Sequence, residues 1–285
     1  MKTKLILVAV SSCFILHSAI AATTIETANR YAYAANLGWL DAVADTNNGA
    51  VIGEYVCAGN LYSANVGWIN LGSGSPANQI QYQNNSATDY GVNQDGLGNL
   101  TGYAYSANVG WINFEQTYGQ PKVNLYNGQL SGSVWSANCG WISLSNAVAF
   151  VQTDTIQKGA LSTNGLPIAW LLQNFGTTNV NANADADGDG VSNGNEYLAG
   201  TDPNNAASVL KITSIVRNSP ANNTALNWNS VSTRYYAVQT NTSLTTGAWG
   251  DFSAPTTLGL HNASLTDTVK TNQFYRIRAY RPLTP

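Results

Sequence analysis

Charge is scarce in this chain. Only 9% of its 285 residues are charged, with 12 Lys and Arg against 15 Asp and Glu. The basic residues are scattered, and nothing resembles a stripe that tracks phosphates. Nucleic acid is therefore excluded as an expected partner. Histidine is nearly missing: the chain has His17 and His261 alone. Zinc catalysis has no HExxH and no paired His/Cys motif to use. A Ser-His-Asp or Cys-His site would have to use His261, in the polar stretch "LGLHNAS". No Gly-rich phosphate loop follows a strand and opens a helix. A glycosidase needs two carboxylates. Outside one acidic loop the repeat region offers Glu54, Asp95 and Glu115, none of which recurs in register. The expectation is a non-enzyme, with a carbohydrate-active enzyme as the third reading.

Long apolar runs are also missing after the first residues. "MKTKLILVAVSSCFILHSAIAATT" places Lys2 and Lys4 before an apolar run, and Ala19-Ile20-Ala21 has the form of a cleavage site. This reads as a secretory signal peptide over 1–21, the alternative being a retained membrane anchor. The mature chain has no stretch of about 20 apolar residues that would span a bilayer. It loses two of the 12 basic residues and none of the 15 acidic ones, for a balance of −5. The protein is expected outside the cell or at its surface. Two cysteines remain, Cys57 and Cys139, which form either one disulfide or two buried free thiols.

The chain is rich in Gly, Asn, Ser and aromatics, with 8 Trp and 15 Tyr. One phrase recurs four times: "YAANLGWLD" at 33–41, "YSANVGWIN" at 62–70 and again at 105–113, and "WSANCGWIS" at 135–143. Self-similarity on this scale marks a repeat architecture. The third copy carries an insertion within "NQIQYQNNSATDYG". Each unit reads as about three short antiparallel strands with Gly turns, Asn127-Gly128 being a hairpin signal. Alternation puts Ile69, Ile112 and Ile142 on one face with Leu61, Ala104 and Val134. Trp39, Trp68, Trp111 and Trp141 fall on the other face, opposite Tyr62, Tyr105 and Trp135. Strict recurrence favours a covered face, with each Trp–Tyr pair as a packing unit. The alternative is an open row of platforms on which sugar rings stack. The phrase resembles the Gly-Tyr-Ala-Trp-Ser-x-Asn-x-Gly-Trp-Ile repeats of exported bacterial proteins. That resemblance implies export and β-structure.

Residues 185–196 read "DADGDGVSNGNE". Asp185, Asp187 and Asp189 stand at loop positions 1, 3 and 5, with Gly190 at the sharp turn. Val191 follows at 7 with its carbonyl, Asn193 at 9 and Glu196 at 12. This is the ligand pattern of an EF-hand-like loop, whose oxygens suit Ca2+ better than Mg2+. Pro167 and "AWLL" predict a short helix before the loop, and a second is expected around 195–199, ending at Gly200. Residues 165–208 resemble the thrombospondin type 3-like and dockerin-like calcium motifs of secreted bacterial proteins. The resemblance implies that the six loop residues are Ca2+ ligands in a stiffened spacer. From Val209 six strands are expected, at 210–217, 224–230, 234–241, 249–254, 264–269 and 274–280, enough for a small antiparallel sandwich. This part resembles C-terminal fibronectin III-like modules.

The expected protein is mainly β. A signal peptide (1–21) precedes a repeat-built antiparallel domain (22–150). A calcium segment with short helices (151–208) and a β-sandwich (209–285) follow. Its expected role is structural or adhesive, at a surface or in a matrix, with an extracellular polysaccharide or matrix protein as partner. The runner-up is a polysaccharide-binding protein that uses the aromatic row.

Overall fold

The computed structural model describes residues 23–218, 223–252, 259–266 and 273–284. The expected signal peptide lies outside them. The fold is mainly β, with two short helices. In the first half come β1 (Ile25–Ala34), β2 (Gly38–Asp41), β3 (Ala58–Ser63), β4 (Gly67–Ser73), β5 (Val92–Gln94) and β6 (Leu100–Ser106). They are followed by β7 (Gly110–Asn113), β8 (Lys122–Val123), β9 (Leu130–Ser131), β10 (Ser133–Ser136), β11 (Gly140–Ser143) and β12 (Val151–Thr153). Asn127-Gly128 lies in the turn between β8 and β9, as expected, with Gly128 at φ 78°.

The main sheet runs β11-β10-β7-β6-β4-β3-β2-β1 and closes through pairing of β11 with β1. Its register fixes the geometry. Tyr33 faces Trp39, Tyr62 faces Trp68, Tyr105 faces Trp111 and Trp135 faces Trp141 within the hairpins. Between hairpins Asp41 faces Tyr62, Asn70 faces Tyr105, Asn113 faces Trp135 and Ser143 faces Tyr33. Each border thus steps two residues along the chain, always in the same sense. Four such steps return to Tyr33 after eight residues, over eight strands. An eight-stranded barrel with a shear of eight tilts its strands by about 36° and has room inside only for side chains.

Those side chains are the aliphatic ones. Leu40, Ile69, Ile112 and Ile142 are at most 2% exposed, and they face Ala32, Leu61, Ala104 and Val134 across their hairpins. Leu71, Phe114 and Leu144 form the next layer. The alternation read from the sequence holds at every one of these positions. The insertion of the third copy folds back over the sheet. Its Tyr82 is buried, and a Cβ on Gly91 would sit 2.2 Å from the Tyr82 ring.

Of the two arrangements left open for the cysteines, the structure has the free thiols. Cys57 and Cys139 are free, buried thiols. Cys139 lies in a turn at one end of the barrel, while Cys57 precedes β3 at the other end, a strand length away.

Beyond the barrel, α1 (Ile168–Phe175) and α2 (Asn193–Ala199) flank the acidic loop, and Gly176 and Gly200 end them in the left-handed region. Helix α2 begins two residues before its expected start. Then come β13 (Ile212–Asn218), β14 (Asn223–Trp228), β15 (Tyr235–Asn241), β16 (Gly250–Asp251), β17 (Asn262–Thr266) and β18 (Phe274–Tyr280). They form two three-stranded sheets, β13-β14-β17 and β16-β15-β18. Leu226 and Trp228 of one pack with Tyr236 and Val238 of the other.

Candidate functional sites: an aromatic collar and an acidic loop

Almost every position of the recurring phrase has a structural duty. Its Ser turns inward, so Ser63, Ser106 and Ser136 are buried. Its Gly ends a three-residue turn with φ between 71° and 80° (Gly38, Gly67, Gly110, Gly140), where a Cβ is disfavoured. Its Asn laces the turns together. Nδ2 of Asn65 donates to the Leu37 carbonyl at 3.0 Å, Asn108 to Val66 at 3.0 Å and Asn138 to Val109 at 2.8 Å. Asn36 donates to Cys139 at 3.0 Å and closes the ring. Each such bond contributes about 1 kcal/mol net. Sequence reasoning missed this ring, although the invariance of the Asn was its signal.

The aromatic residues have no such duty inside. Trp39, Trp68, Trp111 and Trp141 point out of the barrel and are 43–48% exposed. Tyr62 and Tyr105 are 38% exposed and Trp135 is 40% exposed. This corrects the expectation of a covered face. Closing the sheet on itself buries one face completely and leaves the other without a second layer. The pairs still touch one another, with ring centroids 4.9–5.1 Å apart and planes tilted by 59–62°. Such contacts are worth about 0.5–1.5 kcal/mol beyond area. Among the described residues no ring contact joins one of these pairs to the next. Around the pairs stand amides and hydroxyls: Asn60, Asn70, Asn113, Ser133 and Ser143. Arg30 and Asp41, beside the first pair, form an ion pair at 2.7 Å. Tyr90, from the insertion, adds a ring 5.0 Å from Trp111, and its hydroxyl donates to Asn70 Oδ1 at 3.1 Å.

The acidic loop brings three of its six predicted ligand residues together. Carboxylate oxygens of Asp185, Asp187 and Asp189 all lie within 4.8 Å of one another. The loop itself uses both oxygens of Asp185 and one oxygen each of Asp187 and Asp189. Asp185 accepts from the amides of Gly188 (2.7 Å) and Gly190 (2.8 Å), Asp187 from Asp189 (3.2 Å), and Asp189 from Val191 (2.7 Å). The Gly190 amide is the main reason that the Asp185 carboxyl is held below its usual range. Asp187 Oδ2, Asp189 Oδ2, Asn193 Oδ1 and Glu196 Oε2 are buried without a hydrogen-bond partner. Glu196 is fully buried on α2. Burial, and then the charges of Asp187 and Asp189, push its carboxyl up to about 7. Orphaned acceptors with no donor among them fit a hard cation held by oxygens.

The spare carboxylates do not meet. Glu115 accepts from the amides of Thr117, Tyr118 and Gly119. Asp95 accepts from those of Leu97 and Asn99. Glu54 accepts from Arg281 (2.7 Å) and from the Tyr197 hydroxyl (2.7 Å). His261 is exposed. A scan of protein-family models and searches of curated proteins and of solved structures return no match to this chain.

Proposed function

We propose that this is an exported, non-enzymatic protein that holds neutral polysaccharide through the outward Trp–Tyr and Trp–Trp pairs of its barrel. The observation that carries this reading is the exposure of those rings at the positions of the phrase that the barrel does not need inside. A large exposed aromatic surface marks an interaction site. Its chemistry of indole, phenol, amide and hydroxyl, with one self-compensated ion pair, matches a neutral polyhydroxylated chain: rings stack on sugar C–H faces and amides bond the hydroxyls. Binding of this kind gives an adhesive surface or matrix role a physical basis. The engagement of Glu54, Asp95 and Glu115 in separate local contacts supports a protein without catalysis.

The four hairpins are read as copies of one repeat. The two C-terminal sheets are read as a fibronectin III-like sandwich that links or tethers. Asp185, Asp187, Asp189, the Val191 carbonyl, Asn193 and Glu196 hold one Ca2+ that stiffens the connector between them; the orphaned oxygens support this ligand set. Electrophoresis through gels containing a neutral polysaccharide tests the main reading. Retardation that Trp→Ala variants of the collar reduce is expected. Unchanged mobility across neutral polysaccharides would sink it.

A further inference from the structure

The register also determines how many guests the aromatic pairs can face at once. One pair spans each of the four two-stranded hairpins of the barrel, so neighbouring pairs point a quarter-turn apart. The two-residue step at each hairpin border offsets the strand tilt, so the pairs share one level around the barrel. They make a collar, and a straight polymer lying against a closed barrel meets one pair at a time. Tyr90 reinforces the separation. Its hydroxyl reaches Asn70 at 3.1 Å and its ring lies 5.0 Å from Trp111, so it fills the furrow between the second and third pairs.

Resting on the polysaccharide-binding reading, we propose that the collar is a multivalent site. Each pair receives its own segment of neutral glycan, and one molecule ties several polymer strands together. The polar neighbours differ from pair to pair. Asp41 lies between the first pair and the second, Asn70 between the second and third, Asn113 between the third and fourth, and Ser143 between the fourth and first. The pairs therefore bind with graded strength, and their joint effect is avidity on a shared polymer or network formation between polymers.

The test uses the full chain with three soluble probes: dextran, mixed-linkage β-glucan and galactomannan. Affinity electrophoresis reads binding, and light scattering across protein-to-polymer ratios reads cross-linking. Retention by at least one probe is expected, with scattering that rises and then falls as protein increases. W39A, W68A, W111A or W141A alone should keep retention within about threefold while lowering the scattering maximum. The fourfold variant should lose both, with a native circular dichroism spectrum as its folding control. Retention without any rise in scattering would overturn multivalency and leave polysaccharide binding standing. So would a single variant that abolishes retention while staying folded. Retention by none of the probes overturns both readings. Self-association of the chain that the fourfold variant removes would assign the collar to a second copy and also overturn the proposal.

Discussion

Adjacent residues of the phrase face opposite worlds. Trp111 is 45% exposed and meets the rings of Tyr90, Tyr103 and Tyr105, while Ile112 beside it is 1% exposed in the core. Trp111→Ala is expected to cost about 1 kcal/mol, the worth of an exposed aromatic contact. Ile112→Ala should cost about 2–5 kcal/mol through lost burial and a cavity. Urea unfolding of the two variants checks the order, and a larger loss for the tryptophan would mean that the rings are structural after all. The cysteines behave as core residues. Burial pushes the Cys57 thiol up to about 12, so the reactive thiolate is absent at pH 8. Protein comprising residues 22–285 is expected to give negligible reaction with a thiol reagent at pH 8 when native, and two thiols per molecule after unfolding in denaturant. Fast labelling of the native protein would refute the buried placement. Period-two alternation made the two faces legible in advance. Which face meets solvent was not, because alternation says nothing about what a face packs against.

At the scale of the element, the hairpin turns and the acidic loop contrast. The turns are bound to one another, Asn to carbonyl, around the end of the barrel. Asn108→Ala removes one link and should cost about 1 kcal/mol, measurable as a lower urea midpoint at unchanged slope. The acidic loop instead carries four buried acceptors without donors, a cost unless a cation joins them. Ca2+ at about 100 times its dissociation constant is expected to stabilise the segment by about 2.7 kcal/mol. Chelation should make 185–196 a protease site and lower its unfolding temperature, and Asp187→Asn should blunt the effect. Equal protease resistance with and without chelator would refute a structural ion. Local spacing sufficed to bring up the candidate loop: all six residues proposed as ligands lie within twelve positions, and the turn glycines are in place. The turn ring joins residues up to 103 apart, so its partners could not be read from the chain.

Across the whole molecule one buried cluster joins the parts. Glu54, from the barrel side, accepts from Arg281 at 2.7 Å and lies 3.8 Å from Arg234, both of the C-terminal half. Tyr197 of α2 donates to Glu54, lies beneath both guanidinium groups and presents its backbone carbonyl to Arg234. It is the residue next to Glu196, so the acidic loop and the junction share one short helix. Glu54→Gln leaves two buried arginines facing a neutral amide and is expected to cost about 3 kcal/mol. Tyr197→Phe removes one hydrogen bond to a charge and should cost about 1.5–3 kcal/mol. Thermal unfolding followed separately at the barrel and at the C-terminal sheets would show whether both feel the change; an effect confined to one of them, or absent from both, would remove the cluster's role. The sequence offered Glu54 as a spare carboxylate but not its partners, which stand 143 and 227 residues away.

Local pattern alone determined the strands, the repeated hairpin, the aliphatic face and the acidic loop, because each depends on contacts within about thirty residues or on side-chain alternation. Tertiary structure alone decided that the sheet closes, that the rings therefore look outward and that the thiols stay apart. It also decided that Glu54 meets its arginines. Closure depends on adding the same register step four times around, a quantity that no single unit contains.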